Sequence, residues 1–464
     1  MRQKQGGNTL YITAITLAAT LGGLLFGYDT AVISGAENSL EACLVKPLNL
    51  SAFIHGATVS SALIGCIIGG IISGWLSSHL GRKKTLFTAA LLFLLSALGS
   101  AWPETLFFTT GQPSVGLLLA FNIYRIIGGI GVGLASAVCP MYIGEIAPAA
   151  IRGRLVSCNQ FAIIFGMLVV YFVNWAIARE QSIEWINSVG WRYMFASEAV
   201  PAALFGILVG LIPETPRYLT IVHKEDIALK VLRKINGLEK AQTILAEIKE
   251  SIAATVKTKT TMYGKQVLAV GVLLSVFSQF VGINVALYYA PRIFESMGAA
   301  KDASMLQTIV MGLVNVIFTV LVIAKVDKWG RKPLLMAGSA GMTVSMFAIA
   351  GLSHFNIIGI STLVFILLYT ASYMASWGAI TWVLIAELFP NRIRGQAVAI
   401  AVAAQWTANF LISSTYPAMM NFSGAMTYGF YGLMAALSAL FVWKMVPETK
   451  GKTLEDMNKL WKIG

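Results

Sequence analysis

The sequence predicts an all-α membrane protein of twelve transmembrane helices in two six-helix halves. Three observations carry that expectation. The chain is 57% hydrophobic and 12% charged, with a mean hydropathy of +0.73, whereas soluble domains are about 25% charged. Apolar stretches near the ~20 residues needed to cross a bilayer recur from Leu10 to Val446. Short texts in the first half also return in the same order in the second. Gly81-Arg82-Lys83 returns as Gly330-Arg331-Lys332, the Glu145 to Gly153 stretch as Glu387 to Gly395, and Pro213-Glu214-Thr215 as Pro447-Glu448-Thr449. Two-halved membrane proteins are commonly transporters with a site between the halves.

The first run, about 10–34, follows Arg2 and Lys4 like the start of a signal peptide. It continues past Leu24 without a clear small-residue cleavage site, so a retained helix is expected. Five more runs, at about 55–78, 85–102, 115–140, 155–178 and 191–212, complete an N-terminal half over 1–212. Residues 213–264 break the pattern. Ile227, Val231 and Ile235 recur at helical spacing among Lys and Glu, which predicts short amphipathic helices linking the halves; a flexible linker is the alternative. Runs at about 266–290, 305–326, 333–354, 361–386, 396–418 and 427–446 form a C-terminal half over 265–446, followed by a tail over 447–464. The alternating ten-residue strands of a membrane barrel are absent. Backbone groups in lipid must bond internally, which leaves helices.

The net charge of +13 is unevenly placed. Most Lys and Arg fall on the side of both termini and the doubled motifs, while Lys46, Arg179, Arg192, Arg292 and Lys301 fall on the other. That bias marks the motif side as cytoplasmic. Both termini are therefore expected inside, in a bacterial cytoplasmic membrane, and nucleic acid is not an expected partner. Cys43 stands alone on the outer side, so no disulfide is expected there.

The doubled motifs resemble the sugar-porter family of the major facilitator superfamily, end to end. Gly190-Trp191-Arg192, Pro213 to Arg217, Gln279 to Asn284 and Pro447 to Gly451 belong to the same pattern. Gly22 to Ser34, Asn159 to Gly166 and Ala399 to Trp406 are similar to the D-xylose–proton symporters of that family. The resemblance implies a major facilitator fold and a monosaccharide–proton symporter working by alternating access, with D-xylose first among the sugars. Glucose or another sugar, or uncoupled facilitation, are the alternatives within the class. A sugar sensor is the rival from another class; such receptors often carry long signalling tails, and this tail is short. No cofactor is expected, and a monomer in the bilayer is.

Arg82, Glu145, Arg152 and Glu214 in the first half, and Arg331, Glu387, Arg394 and Glu448 in the second, put matching acids and bases at one face. They can pair across helices and between halves to hold an inner gate shut, or the cations can simply keep the loops inside. The family's usual Asp is Ser78 in the first copy and Asp327 in the second, which predicts a weaker first-half network.

Asp29, Arg125 and Glu198 interrupt apolar helices. Ionisable groups there are costly and mark function. Asp29 and Arg125 fit either a permanent salt bridge or a proton switch. A nearby guanidinium favours a carboxylate's charged form, and its withdrawal favours the protonated form. The resemblance supports the switch, since proton-coupled sugar porters carry an Asp and an Arg at these positions.

Sugar hydroxyls both donate and accept, so neutral amides and aromatic faces suit them. Gln160, Gln279, Asn284, Asn315 and Gln405 are candidates, with Phe26, Trp382 and Tyr288 beside them. Each amide is also open to the reading of an interhelical hydrogen-bonder. Gly282 and Gly378 mark expected bends. In similar porters the positions of Gln160, Gln279, Asn284, Trp382 and Gln405 contact sugar. This chain departs from the pattern at Ser278 and Met167, where relatives carry Gln, and at Ala379, where Pro is common. His55, His79, His223 and His354 make no metal set, and no phosphate loop or catalytic triad appears. An enzyme is not expected.

Overall fold

The computed structural model describes residues 9–105, 112–148, 151–253, 264–357, 359–389 and 394–450. Among them, twelve helical segments are long and apolar enough to cross a membrane. The tail beyond Lys450 lies outside the described residues.

The N-terminal half begins with α1 (Thr9–Leu40), α2 (Ala52–Val59), α3 (Ser61–Leu80) and α4 (Arg82–Ala101). It continues with α5 (Val115–Ile146), α6 (Arg152–Ala178), α7 (Ile183–Trp185), α8 (Trp191–Ser197) and α9 (Ala199–Leu211). The first span reaches beyond the expected end near 34. Leu40, Leu44 and Val45 are buried, and that burial carries the helix into a π-helical turn at Glu41–Val45.

Glycines let α3 and α5 approach backbone to backbone. A Cβ on Gly129 would fall 1.8 Å from the Ala62 carbonyl oxygen, and one on Gly65 2.0 Å from that of Ile126. The glycine run 128–133 is thus a helix contact, as small residues are in lipid.

The segment between the halves is helical: α10 (Pro216–Ile221), α11 (Glu225–Asn236) and α12 (Leu238–Ala253). Val231 and Ile235 of α11 are buried while Ile227 is exposed. The helix packs on α1, and Lys234 lies 5.7 Å from the Tyr11 ring centroid. Glu225 and Asp226 at its start and Arg233 and Lys234 at its end complement the helix dipole.

The C-terminal half holds α13 (Gly264–Phe280), α14 (Ile283–Tyr288), α15 (Ala290–Ser296), α16 (Lys301–Trp329) and α17 (Arg331–His354). It ends with α18 (Ile360–Met374), α19 (Trp377–Leu388), α20 (Arg394–Phe422) and α21 (Gly424–Met445). Two spans are broken. The seventh breaks at Gly282, whose φ of +90° is left-handed, a conformation glycine takes at little cost. The tenth breaks at Ser376, with φ −142° and ψ −91°, two residues before Gly378, which lies inside α19. Ser376 Oγ caps the loose end by donating to the Ser372 carbonyl at 2.6 Å.

The doubled motifs are one device built twice. Gly81 and Gly330 end their helices at φ +91° and +88° and precede helices that lack a side-chain cap. A distant glutamate supplies the cap. Glu214 accepts from the backbone N–H of Arg82 and of Lys83, both at 3.1 Å, and Glu448 accepts from Arg331 at 3.1 Å and Lys332 at 3.0 Å. Orphan N–H groups at a helix start favour such an anion. The lysines close the clasp: Lys83 Nζ donates to the Gly210 carbonyl and Lys332 Nζ to that of Trp443, each at 2.8 Å.

Candidate functional site

Between the halves lies a cavity walled by side chains from both, a concave and mostly apolar site with a few convergent polar groups, as small-molecule sites are. The N-terminal half lines it with Phe26 and Thr30 of α1 and with Gln160, Ile163, Ile164 and Met167 of α6. The C-terminal half contributes more polar reach: Gln279, Asn284, Tyr288, Tyr373, Trp382 and Gln405, with Gly378 and Trp406.

The break at Gly282 explains two of these positions. It ends α13 just past Gln279 and starts α14 just before Asn284, so both amides turn into the cavity. Asn284 Nδ2 donates to Gln279 Oε1 at 2.5 Å, and Gln279 Nε2 donates to Ser278 Oγ at 3.0 Å. Gln405 Oε1 has no donor and Trp406 Nε1 no acceptor. Buried polar groups are normally satisfied, so an orphan acceptor and an orphan donor beside a cavity are groups that a polyhydroxylated ligand can satisfy. The Trp406 and Phe26 rings meet across the halves at 5.6 Å between centroids.

Eight of the nine residues expected around a sugar line this cavity. Asn315 does not. It is 2% exposed on α16 and stands outside the lining, with its Oδ1 lacking a donor. Thr30, Ile163, Ile164, Tyr373, Met374 and Trp406 were not anticipated as wall residues. Ile163 and Ile164 were findable, because they follow Gln160 at i+3 and i+4 on the same helix face.

A second site shares the same turns of α1. Arg125 Nη1 donates to Asp29 Oδ1 at 2.6 Å and Nη2 to the Asp29 carbonyl at 3.0 Å. Both side chains are sealed, at 1% and 0% exposure. The guanidinium carbon also lies 5.3 Å from the Phe195 ring centroid. Gly128 makes room chiefly for Ser96 of α4, whose Oγ a Cβ there would meet at 2.3 Å, and then for Asp29 Oδ1 at 3.3 Å. Glu198 is fully buried with no donor on either oxygen, and its charged neighbours are Asp29 and Arg125. Asp29 Oδ2 also lacks a donor.

At the motif face the expected clusters bond within halves. Arg82 Nη2 donates to Glu145 Oε1 at 2.7 Å, and the Arg152 guanidinium reaches the Ala147 carbonyl at 3.4 Å. The bonds of Glu214 and Glu448 described above likewise stay within one half each. The side chains of Glu387 and Arg394 lie outside the described residues.

The halves are tied at the opposite face. Arg292 of α15 donates to Glu37 at 3.2 Å and to Glu41 at 2.8 Å, while Asn38 donates to Glu295 at 3.2 Å. Ser60 and Ser414 share a hydrogen bond at 2.6 Å.

The model of the sugar (and other) transporter family matches residues 15–461. The D-xylose-proton symporter of Escherichia coli K12 is 52% identical, over 98% of this chain and 96% of that protein. The arabinose-proton symporter of Bacillus subtilis 168 is 40% identical, over 97% and 95%. The solved inward-open conformation of the E. coli xylose transporter superposes with a TM-score of 0.89 at 51% identity, covering 97% of this chain and all of that one.

Proposed function

Because the chain belongs to the sugar-transporter family, with the major facilitator fold, and is a transporter rather than an enzyme, we propose that it couples uptake of a monosaccharide, D-xylose first, to entry of a proton. One observation carries the coupling. Two consecutive turns of α1 bear both a wall of the amide-lined cavity, at Phe26 and Thr30, and the buried Asp29. Movement of α1 against α5 on sugar binding changes what Arg125 offers Asp29, and thereby where a proton is held. Glu198, with two unfilled oxygens beside Asp29, is the group through which that proton is shared.

In the cavity, Gln160, Gln279, Asn284 and Gln405 exchange hydrogen bonds with sugar hydroxyls, Tyr288 adds a phenol, and Phe26 and Trp382 cover the ring's C–H faces. Met167 presents a thioether where a Gln would hydrogen-bond, which relaxes discrimination between pentose and hexose. The lysine and arginine bias supports an orientation with termini and doubled motifs cytoplasmic. On that reading the conformation described above is inward-facing. The carrier works as a monomer in the bacterial cytoplasmic membrane. The motif-face clusters brace each half from within, and they can join across halves only when that face closes.

Purified protein in liposomes tests the reading. An inside-alkaline gradient should drive accumulation of radiolabelled D-xylose, and added xylose should alkalinise a lightly buffered exterior. Equilibration without accumulation would make it a facilitator. Binding without flux would make it a sensor.

A further inference from the structure

A cluster of titratable groups lies at the outer face, apart from both the cavity and Asp29. Glu37 is on α1 and His55 on α2, both in the N-terminal half, and each side chain is 1% exposed. Arg292 comes from α15 in the other half. His55 Nε2 and Arg292 Nη1 meet the same oxygen, Glu37 Oε2, at 3.0 and 3.2 Å. Arg292 Nη1 also reaches Glu41 Oε2 at 2.8 Å and lies 3.3 Å from His55 Nε2. The Tyr289 ring stands edge-on to His55 at 6.4 Å and packs on Tyr416. Exposed Lys46 is 3.8 Å from Glu41. Glu295, on the same helix as Arg292, is held by Asn38 and Ser304.

With His55 neutral, Glu37 and Glu41 share the Arg292 guanidinium, and exposed Lys46 stands only by Glu41. One proton on His55 gives buried Glu37 a cation of its own and turns their bond into an ion pair. His55 Nδ1 and Glu37 Oε1 have no partner, so the cluster is not saturated by its own bonds. Parting the halves at this face must withdraw Arg292 from Glu37, Glu41 and His55 together.

We propose that this cluster is a second proton-binding site, distinct from Asp29, in which a proton on His55 locks the outer face shut. The proposal rests on the alternating-access reading above. It is tested without sugar or gradient, so its failure is separate from a failure of symport. Whichever state binds the proton better gains as pH falls, so acidification favours the closed outer face and alkalinisation releases it.

Full-length protein in lipid nanodiscs, with Cys43 and Cys158 replaced by Ser, is spin-labelled at Glu180→Cys and Phe355→Cys. The distance across the outer face is then followed from pH 8.5 to 5.5. The closed-to-open ratio should rise at least about fivefold. His55→Gln should flatten that response. Two outcomes overturn the proposal: no response in the parent, or a full response in His55→Gln. If His55→Gln does not fold, Glu37→Gln replaces it; a flat response with fewer closed molecules is expected, and an unchanged response overturns the idea.

Discussion

Arg125 grips Asp29 twice, by its side chain at 2.6 Å and by its main-chain carbonyl at 3.0 Å, inside a site closed to solvent. The second bond does not depend on the carboxylate. Asp29→Asn should therefore keep the helices in place while removing the titratable group. Counterflow exchange of xylose should persist, and gradient-driven uptake should fall to the equilibrium level. Full concentrative uptake by the variant would falsify the assignment. Arg125→Leu should be worse, because it strands a buried carboxylate at a cost of about 3–5 kcal/mol, visible as a large loss of thermal stability.

Gln279 and Asn284 hold each other across the broken seventh span. Gln279→Ala removes a proposed sugar ligand and the partner that positions Asn284. Calorimetric titration should show xylose affinity reduced by at least about three- to tenfold, one net hydrogen bond being worth ~0.5–1.5 kcal/mol. An unchanged affinity would remove Gln279 from the site.

Met167 and Ser278 stand at positions where the family resemblance leads one to expect amides. Met167→Gln should sharpen the preference for xylose over glucose in competition binding, and Ser278→Gln should tighten binding generally. An unaltered sugar ranking in both variants would mean that specificity is set elsewhere in the wall.

Gly282 takes a left-handed φ, and a Cβ there would lie 2.8 Å from the Tyr431 ring. Gly282→Ala should lose at least about 1–2 kcal/mol from backbone conformation alone. A lower melting temperature and slower exchange are expected together. A variant as stable and as fast as the parent would show that the break does not need glycine.

The two clasping glutamates should titrate apart. Burial pushes the Glu214 carboxyl above the ordinary carboxylate value despite its backbone bonds. Glu448 is also raised by burial, but the N–H groups of Lys450, Arg331, Lys332 and Thr449 outweigh it and bring the group below that value. A lowered acid contributes stability above its unfolded value, near 4.3, and loses it as pH falls through the folded one. Glu448→Gln should therefore cost most near neutrality and progressively less in acid. Glu214→Gln should show the opposite slope, its parent losing stability as pH rises from about 4.3. Carboxyl-stretch difference spectra against each Gln variant, recorded near pH 5, should show more protonated Glu214 than Glu448; equal fractions would contradict this.

The architecture was legible because lipid imposes blunt rules. Apolar runs fix the spans, and a charge inside one, such as Asp29, stands out. Amides in apolar helices flagged most of the cavity, but Asn315 shows that such a residue can also lie apart from it. Glu37, His55 and Arg292 gave no signal, since charge at a span's end is ordinary and only the fold brings them together. The clasp was hidden for another reason. The texts around Gly81 and Gly330 advertise their cations, yet Glu214 and Glu448 bind the backbone N–H groups of those residues, which no sequence spells out. The break at Ser376 lies beside the glycine that suggested it, because the cap from Ser376 to Ser372 suits that position.

The helices α10, α11 and α12 ride on the N-terminal half, with α10 on α5 and α11 on α1. After Ala253, one short stretch of chain joins that half to the other. The matching of the two surfaces, more than continuity of the polypeptide, is then expected to make the pair. Two genes, one ending after Ala253 and one starting before Gly264, should yield separately inserted pieces that find each other in the bilayer, as the subunits of a dimer do.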